Sequence, residues 1–214
     1  VKDDALIRKF APELNSFETL HLTGNYQADT QKIELDIQIP QLDYAKNKIE
    51  QGRLKIDNEN EALQYALHID KVGTENITLN KIDLSGNIAE NKITYLLSTQ
   101  DEKGVEQFLI AGNAEKQGND TQISLNTDGL KLNYDVWSVH PENRLQFGKA
   151  GILAENFILS HQGSQIAIQS ETATPNSPLN ISIQDFKIQS ITEMLKKEAL
   201  LAKGNINGTA RISI

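Results

Sequence analysis

Apolar and polar residues alternate one for one along much of this chain. Ile33-Glu34-Leu35-Asp36-Ile37-Gln38-Ile39 sets four aliphatics on one face of an extended segment and polar groups on the other. That is the pattern of a strand with one buried face. It recurs at Leu63/Tyr65/Leu67/Ile69, Ile93/Tyr95/Leu97, Ile123/Leu125 and Leu130/Leu132/Tyr134. Later come Ile166/Ile168, Ile181/Ile183 and Ile206 with Ile212/Ile214. Turn-forming residues separate these runs at Asn47-Lys48, Asp57-Asn58, Gly104, Gln117-Gly118-Asn119, Gln162-Gly163 and Pro175-Asn176-Ser177-Pro178.

A looser repeat overlies the alternation. Leu20 to Asn25, Ile82 to Asn87 and Phe108 to Asn113 share an apolar-x-apolar-x-Gly-Asn form. Glycines within strand patterns suit bulges or bends, whereas Gly-Asn equally marks hairpin turns. Both readings predict a mainly β fold, an elongated curved or folded-over sheet of antiparallel or mixed strands in a single segment spanning 1–214. The irregular spacing excludes a strict short-period β-helix. Two segments depart from period two. Residues 4–13 carry apolar positions at helical spacing, and Ser190-Ile191-Thr192-Glu193 is a capping box that predicts a short helix over 191–202.

Composition sharpens this picture. Hydrophobic residues make up 38% and aromatics 6%, lean for a spherical enzyme core but suited to a thin layer lined by aliphatics. The formal net charge of −8 argues against nucleic acid, and the densest basic pair, Lys196-Lys197, is flanked by Glu193 and Glu198. There is no cysteine, which removes disulfides, thiolate nucleophiles and cysteine-based zinc sites. The chain opens Val1-Lys2-Asp3-Asp4 and its only methionine is Met194, so it reads as an excised segment or processed product of a larger protein.

Candidate chemistry is sparse. His21, His68, His140 and His161 are scattered without metal-ligand spacing. The carboxylates of Asp101-Glu102-Lys103-Gly104-Val105-Glu106 read as a solvated turn, and Asp57 to Glu61 lacks the glycine and terminal glutamate of a calcium loop. No nucleophile elbow, P-loop or dinucleotide fingerprint is present. The expectation is no catalytic residue, no metal and no cofactor. Trp137 is expected to anchor one end of the apolar interior. The aliphatic faces themselves remain: Ile33, Leu35, Ile37, Ile39, Leu67, Ile69, Ile93, Tyr95, Leu97, Ile123, Leu125, Ile166, Ile168, Ile181 and Ile183. In a closed sandwich they are core; in an open sheet they line a groove for acyl chains or an unfolded apolar strand.

From Val136-Trp137-Ser138-Val139 through Asn143-Arg144-Leu145, Phe157-Ile158-Leu159 and Gln165-Ile166-Ala167-Ile168, the chain resembles the TamB translocation and assembly module family in its Bacteroidetes-like form. Pro178 to Ile181, Phe186-Lys187-Ile188 and Gly204 to Gly208 are similar to the downstream strands and turns of that family. The resemblance implies a periplasmic segment of a long AsmA-like protein tethered to the inner membrane, with a β-taco architecture. It further implies phospholipid transport between the membranes, outer-membrane protein assembly with a barrel partner reached through other regions, and no catalytic residues. The rival expectation is a structural spacer or adhesin-like β-domain with a closed core.

Overall fold

The computed structural model describes Lys9 and residues 12–59, 62–74, 77–192 and 203–213, and 74% of the described residues are strand. The strands are β1 (Leu14–Phe17), β2 (His21–Gln27), β3 (Lys32–Tyr44), β4 (Asn47–Glu59), β5 (Ala62–Gly73), β6 (Thr78–Ala89), β7 (Lys92–Gln100) and β8 (Glu106–Gln117). They continue with β9 (Asp120–Leu132), β10 (Asp135–Val139), β11 (Arg144–Gly148), β12 (Gly151–Glu155), β13 (Phe157–His161), β14 (Ser164–Ser170), β15 (Leu179–Lys187) and β16 (Asn205–Ile212). All pair antiparallel in one large sheet that does not close into a barrel. Both helices expected from sequence fall largely outside the described residues; within them is one helical turn, α1 (Gln189–Thr192), which starts one residue before Ser190.

From β3 to β9 the sheet is a simple meander, each strand pairing with the next. Period-two alternation makes that arrangement self-consistent, because one register brings every apolar set to one face. The alternation changes phase once in each of β3 to β6. Ile39 is followed by Leu42, Ile69 by Val72 and Leu79 by Ile82, while Ile49 precedes Gly52 and Leu54. The change points, Pro40, Gln51, Asp70 and Lys81, lie side by side in the register. Gln51 and Lys81 have φ of 54° and 46°, left-handed conformations that interrupt strict alternation as a bulge does.

The C-terminal end differs. β9 forks: Leu130 to Leu132 pair with β10, whereas Thr121 to Ile123 pair with β11. The fork opens at a register shift in β9 between Leu125 and Leu130. The alternations Ile123/Leu125 and Leu130/Leu132/Tyr134, expected as separate strands, belong to one strand with an interruption, and Tyr134 lies in the turn beyond it. Asn143, 3% exposed, closes the fork. Its Oδ1 accepts from the Leu125 N–H at 2.7 Å, and its Nδ2 donates to Leu125 O at 2.8 Å and His140 O at 2.7 Å. One side-chain amide thus replaces the neighbouring strand that Leu125 would otherwise lack.

Beyond the fork, β10, β13, β14 and β15 are successive neighbours. Three strand spacings separate β10 from β15, about 14 Å in a flat sheet. Yet the Trp137 and Phe186 ring centroids are 5.8 Å apart. The sheet therefore curls towards its apolar face here. Leu130, Trp137, Val139, Leu159 and Phe186 form the buried cluster, with Ile166 and Ile183 packed against it.

Candidate functional site

The register assembles the apolar face residue by residue. Leu22, Ile37, Leu54, Leu67, Leu84, Leu97, Ile110, Leu130 and Trp137 are successive cross-strand partners, forming an unbroken apolar row that runs across the strands from β2 to β10. A second row runs beside it: Gly24, Leu35, Ile56, Tyr65, Gly86, Tyr95, Gly112 and Leu125. A third contains Leu63, Ile88, Ile93, Ala114, Ile123, Leu145 and Ala154. Ile39, Gly52, Ile69 and Ile82 form a fourth on the other flank.

Exposure changes along these rows. Leu22 is 60% exposed, Ile37 to Ile110 are half-buried, Leu130 is 4% and Trp137 2%. The face is thus open over the meander and sealed where the sheet curls. Ile33, Leu35, Ile37, Ile39, Leu67, Ile69, Ile93, Tyr95, Leu97 and Ile123 belong to the open part, whereas Leu125, like Ile110, packs against the sealed cluster. Ile166 and Ile183 pair with each other and sit against the sealed cluster, which includes Leu159; Ile168 and Ile181 form the adjoining pair. The expected residues therefore form two environments rather than one trough. Leu54, Ile56 and Leu84 complete the rows and are absent from the expected set: β4 offers only two aliphatics in phase, and Leu84 stands out in the sequence only within the Gly-Asn repeat.

The second row explains the Gly-Asn repeat. Gly24, Gly86 and Gly112 are mid-strand, not at turns, and all occupy that row. Tyr65 lies across Gly86 and its hydroxyl donates to Thr94 O at 2.8 Å, one strand further on. Tyr95 lies across Gly112 towards Ser124 O at 3.5 Å. A Cβ on Gly86 would stand 2.8 Å from the Tyr65 Oη, and one on Gly112 2.6 Å from the Tyr95 Oη. Glycine is required because a tyrosine ring and a neighbouring carbonyl occupy the space a side chain would take. Burial holds both phenols above their ordinary pKa.

The opposite face is polar over β3 to β6, whereas from β7 to β10 it also carries Leu96, Leu109, Ala111 and Val136. Arg53 grips Asp36 through two bonds of 3.0 and 2.5 Å. His68 sits between Asp83 at 2.6 Å and Asp70 at 3.2 Å, and Lys81 also reaches Asp70. The hydrogen bond to Asp83, reinforced by that to Asp70, raises the His68 pKa against a smaller desolvation effect. Both ring nitrogens face carboxylates, the arrangement an imidazolium satisfies. A concavity of about 610 Å³ near Gly24 is lined mainly by polar groups, among them Thr23, Glu34, Asp36, Lys55 and Asp57. Among the described residues no three metal-ligating side chains converge, and no helix is long and apolar enough to cross a membrane.

Fold and site together define an open antiparallel β-sheet with one continuous apolar face. No family model, curated protein or solved structure matches the chain.

Proposed function

We propose that this chain is a non-catalytic, TamB-like periplasmic segment whose open face carries phospholipid acyl chains between the inner and outer membranes. The observation that supports this reading is the unbroken row from Leu22 to Trp137, half-exposed over the meander. A solvated aliphatic stripe of that length is unfavourable unless something covers it. Each acyl CH₂ transferred from water onto such a surface gains roughly 0.8 kcal/mol. Similar leucines and isoleucines at each step keep that gain nearly level along the row, so a chain can slide without trapping. The polar face and the net charge of −8 turn anionic headgroups away from the sheet.

A spacer with a closed core is favoured for the curled end alone, where Trp137, Leu130 and Phe186 are sealed. Crosslinking separates the two. A photoreactive residue at Leu84, on the apolar face, should crosslink to phospholipid acyl chains when the protein is incubated with vesicles. The same group at Asn87, on the polar face, should not. Ile37→Asp should abolish capture while leaving the fold intact. A stably folded Ile37→Asp protein that captures lipid at the wild-type level sinks the proposal.

A further inference from the structure

β2 pairs with β3 on one side, and among the described residues no strand pairs with its other side. Its sequence, His21-Leu-Thr-Gly-Asn-Tyr-Gln27, contains no Lys, Arg, Asp, Glu or Pro, the residues that normally blunt a free edge. Leu22 and Tyr26, 60% and 65% exposed, are two of the three most exposed large hydrophobics among the described residues. They lie four positions apart on the apolar face, with Gly24 between them.

Gly24 occupies the register row of Gly86 and Gly112 in a more open setting: the carbonyl oxygen bordering a Cβ would stand 1.9 Å away at Gly86, 2.1 Å at Gly112 and 3.5 Å at Gly24. At those two positions the site of a Cβ is bordered by the carbonyl oxygen of the residue just before the glycine's far partner, Thr94 before Tyr95 and Ser124 before Leu125. At Gly24 the far partner is Leu35, and the corresponding oxygen, Glu34 O, lies 3.5 Å from the same point. Inside the sheet each such seat holds a tyrosine from the preceding strand. At Gly24, among the described residues, no strand pairs on that side and no tyrosine fills the seat.

We propose that the outer edge of β2 is a docking site for an extended strand of a separate polypeptide, carrying the pattern apolar-x-Tyr-x-apolar. Its tyrosine lies over Gly24 with the hydroxyl directed at Glu34 O, and its two apolar residues stand opposite Leu22 and Tyr26. β5 (Leu63-x-Tyr65-x-Leu67) and β7 (Ile93-x-Tyr95-x-Leu97) show this pattern already seated on equivalent glycines. A second folded copy does not supply it. Among the described residues its strands with only one neighbour are β1 (Leu-Asn-Ser-Phe), β2 (Leu22-x-Gly24-x-Tyr26), β12 (Gly-Ile-Leu-Ala-Glu) and β16 (Ile206-x-Gly208-x-Ala210-x-Ile212), and none has a tyrosine at the centre of the pattern. The backbone ladder supplies affinity and the tyrosine seat selectivity, as in other strand-addition complexes. This inference goes beyond acyl-chain transport and stands or falls independently of it.

The probe is a synthetic peptide copying residues 91–99, Asn-Lys-Ile-Thr-Tyr-Leu-Leu-Ser-Thr, beside the same peptide with Tyr replaced by Ala. Titration against the whole chain, with amide hydrogen exchange, should show saturable binding and new protection at 21–27. The Ala peptide should bind about tenfold more weakly, the loss of one hydrogen bond and its ring contact. Gly24→Ala should weaken binding at least as much by filling the seat. Its Cβ meets the flexible Leu35 Cδ1 at 3.3 Å and Glu34 O at an ordinary contact distance of 3.5 Å, so the fold survives. Leu22→Lys, at an exposed position, is the second variant and should also weaken binding. Equal binding of both peptides, unchanged binding by Gly24→Ala, protection at β16 or in the interior, self-association through 21–27, or no binding at millimolar peptide each overturns the proposal.

Discussion

Gly86→Ala should destabilise this protein by about 1–3.5 kcal/mol although it adds a single methyl group. The position is half-buried in the second row, where the new Cβ would stand 1.9 Å from the Thr94 carbonyl oxygen and crowd the Tyr65 hydroxyl at 2.8 Å. Expelling that hydroxyl forfeits a hydrogen bond worth about 1 kcal/mol net. Parting β6 from β7 to relieve the backbone clash adds about 1–3 kcal/mol of overpacking. Restricting the unfolded chain returns only about 0.4–1 kcal/mol. Gly73→Ala is the internal control: nothing lies within 4 Å of its Cβ, and only the small unfolded-state gain remains. Tyr65→Phe should cost only the hydrogen bond, and combining it with Gly86→Ala should give little rescue, since the carbonyl clash persists. Urea denaturation followed by far-ultraviolet circular dichroism and by Trp137 fluorescence gives the numbers, provided both probes report one transition with an unchanged m-value. A Gly86→Ala protein within about 0.5 kcal/mol of wild type, the scatter of neutral surface changes, would refute the account of the glycine row.

Asn143→Ala strips the partners from both the N–H and the C=O of Leu125 at the fork, and at about 1–3 kcal/mol per orphaned group the same denaturation assay should record about 2–6 kcal/mol. Asn143→Asp should also destabilise at neutral pH, because a carboxylate cannot donate to Leu125 O or His140 O. His68 contributes a pH dependence of defined sign. Its folded pKa is raised, mainly by Asp83, so its contribution is complete below the ordinary histidine value near 6.5 and fades as pH rises through the folded value. The melting temperature should accordingly fall across that window in wild type relative to His68→Gln; parallel profiles for the two proteins would remove the assignment.

Much of the sheet is legible in the sequence because one face of each strand is apolar and the period is two. The run Ile33 to Ile39 is a strand on that ground alone. β4 escapes the same reading because Ile49 and Leu54 are out of phase, a displacement produced at Gln51 by a backbone conformation that composition does not encode. Asp57-Asn58 looks like a turn yet continues β4, where Asn58 Oδ1 accepts from the Ile33 N–H at 2.7 Å. The tyrosine seats depend on register between residues as distant as Tyr65 and Gly86. Only the pairing of a strand-centre tyrosine with a glycine one hairpin along could have signalled them. Asn143 carries no local signal, since its role is set by the place where two strands diverge.

The apolar row crosses the strands instead of following them. From Leu22 to Trp137 it passes eight strand spacings, roughly 38 Å. Its reach is therefore counted in hairpins, each adding about 10 Å. An inserted or deleted hairpin restores both strand direction and facing, leaving the row continuous and its width unchanged. A single lost strand would reverse the direction of everything after it. Length in such a molecule is a quantised, heritable quantity, adjustable by duplicating or excising one hairpin-sized unit without redesigning the surface.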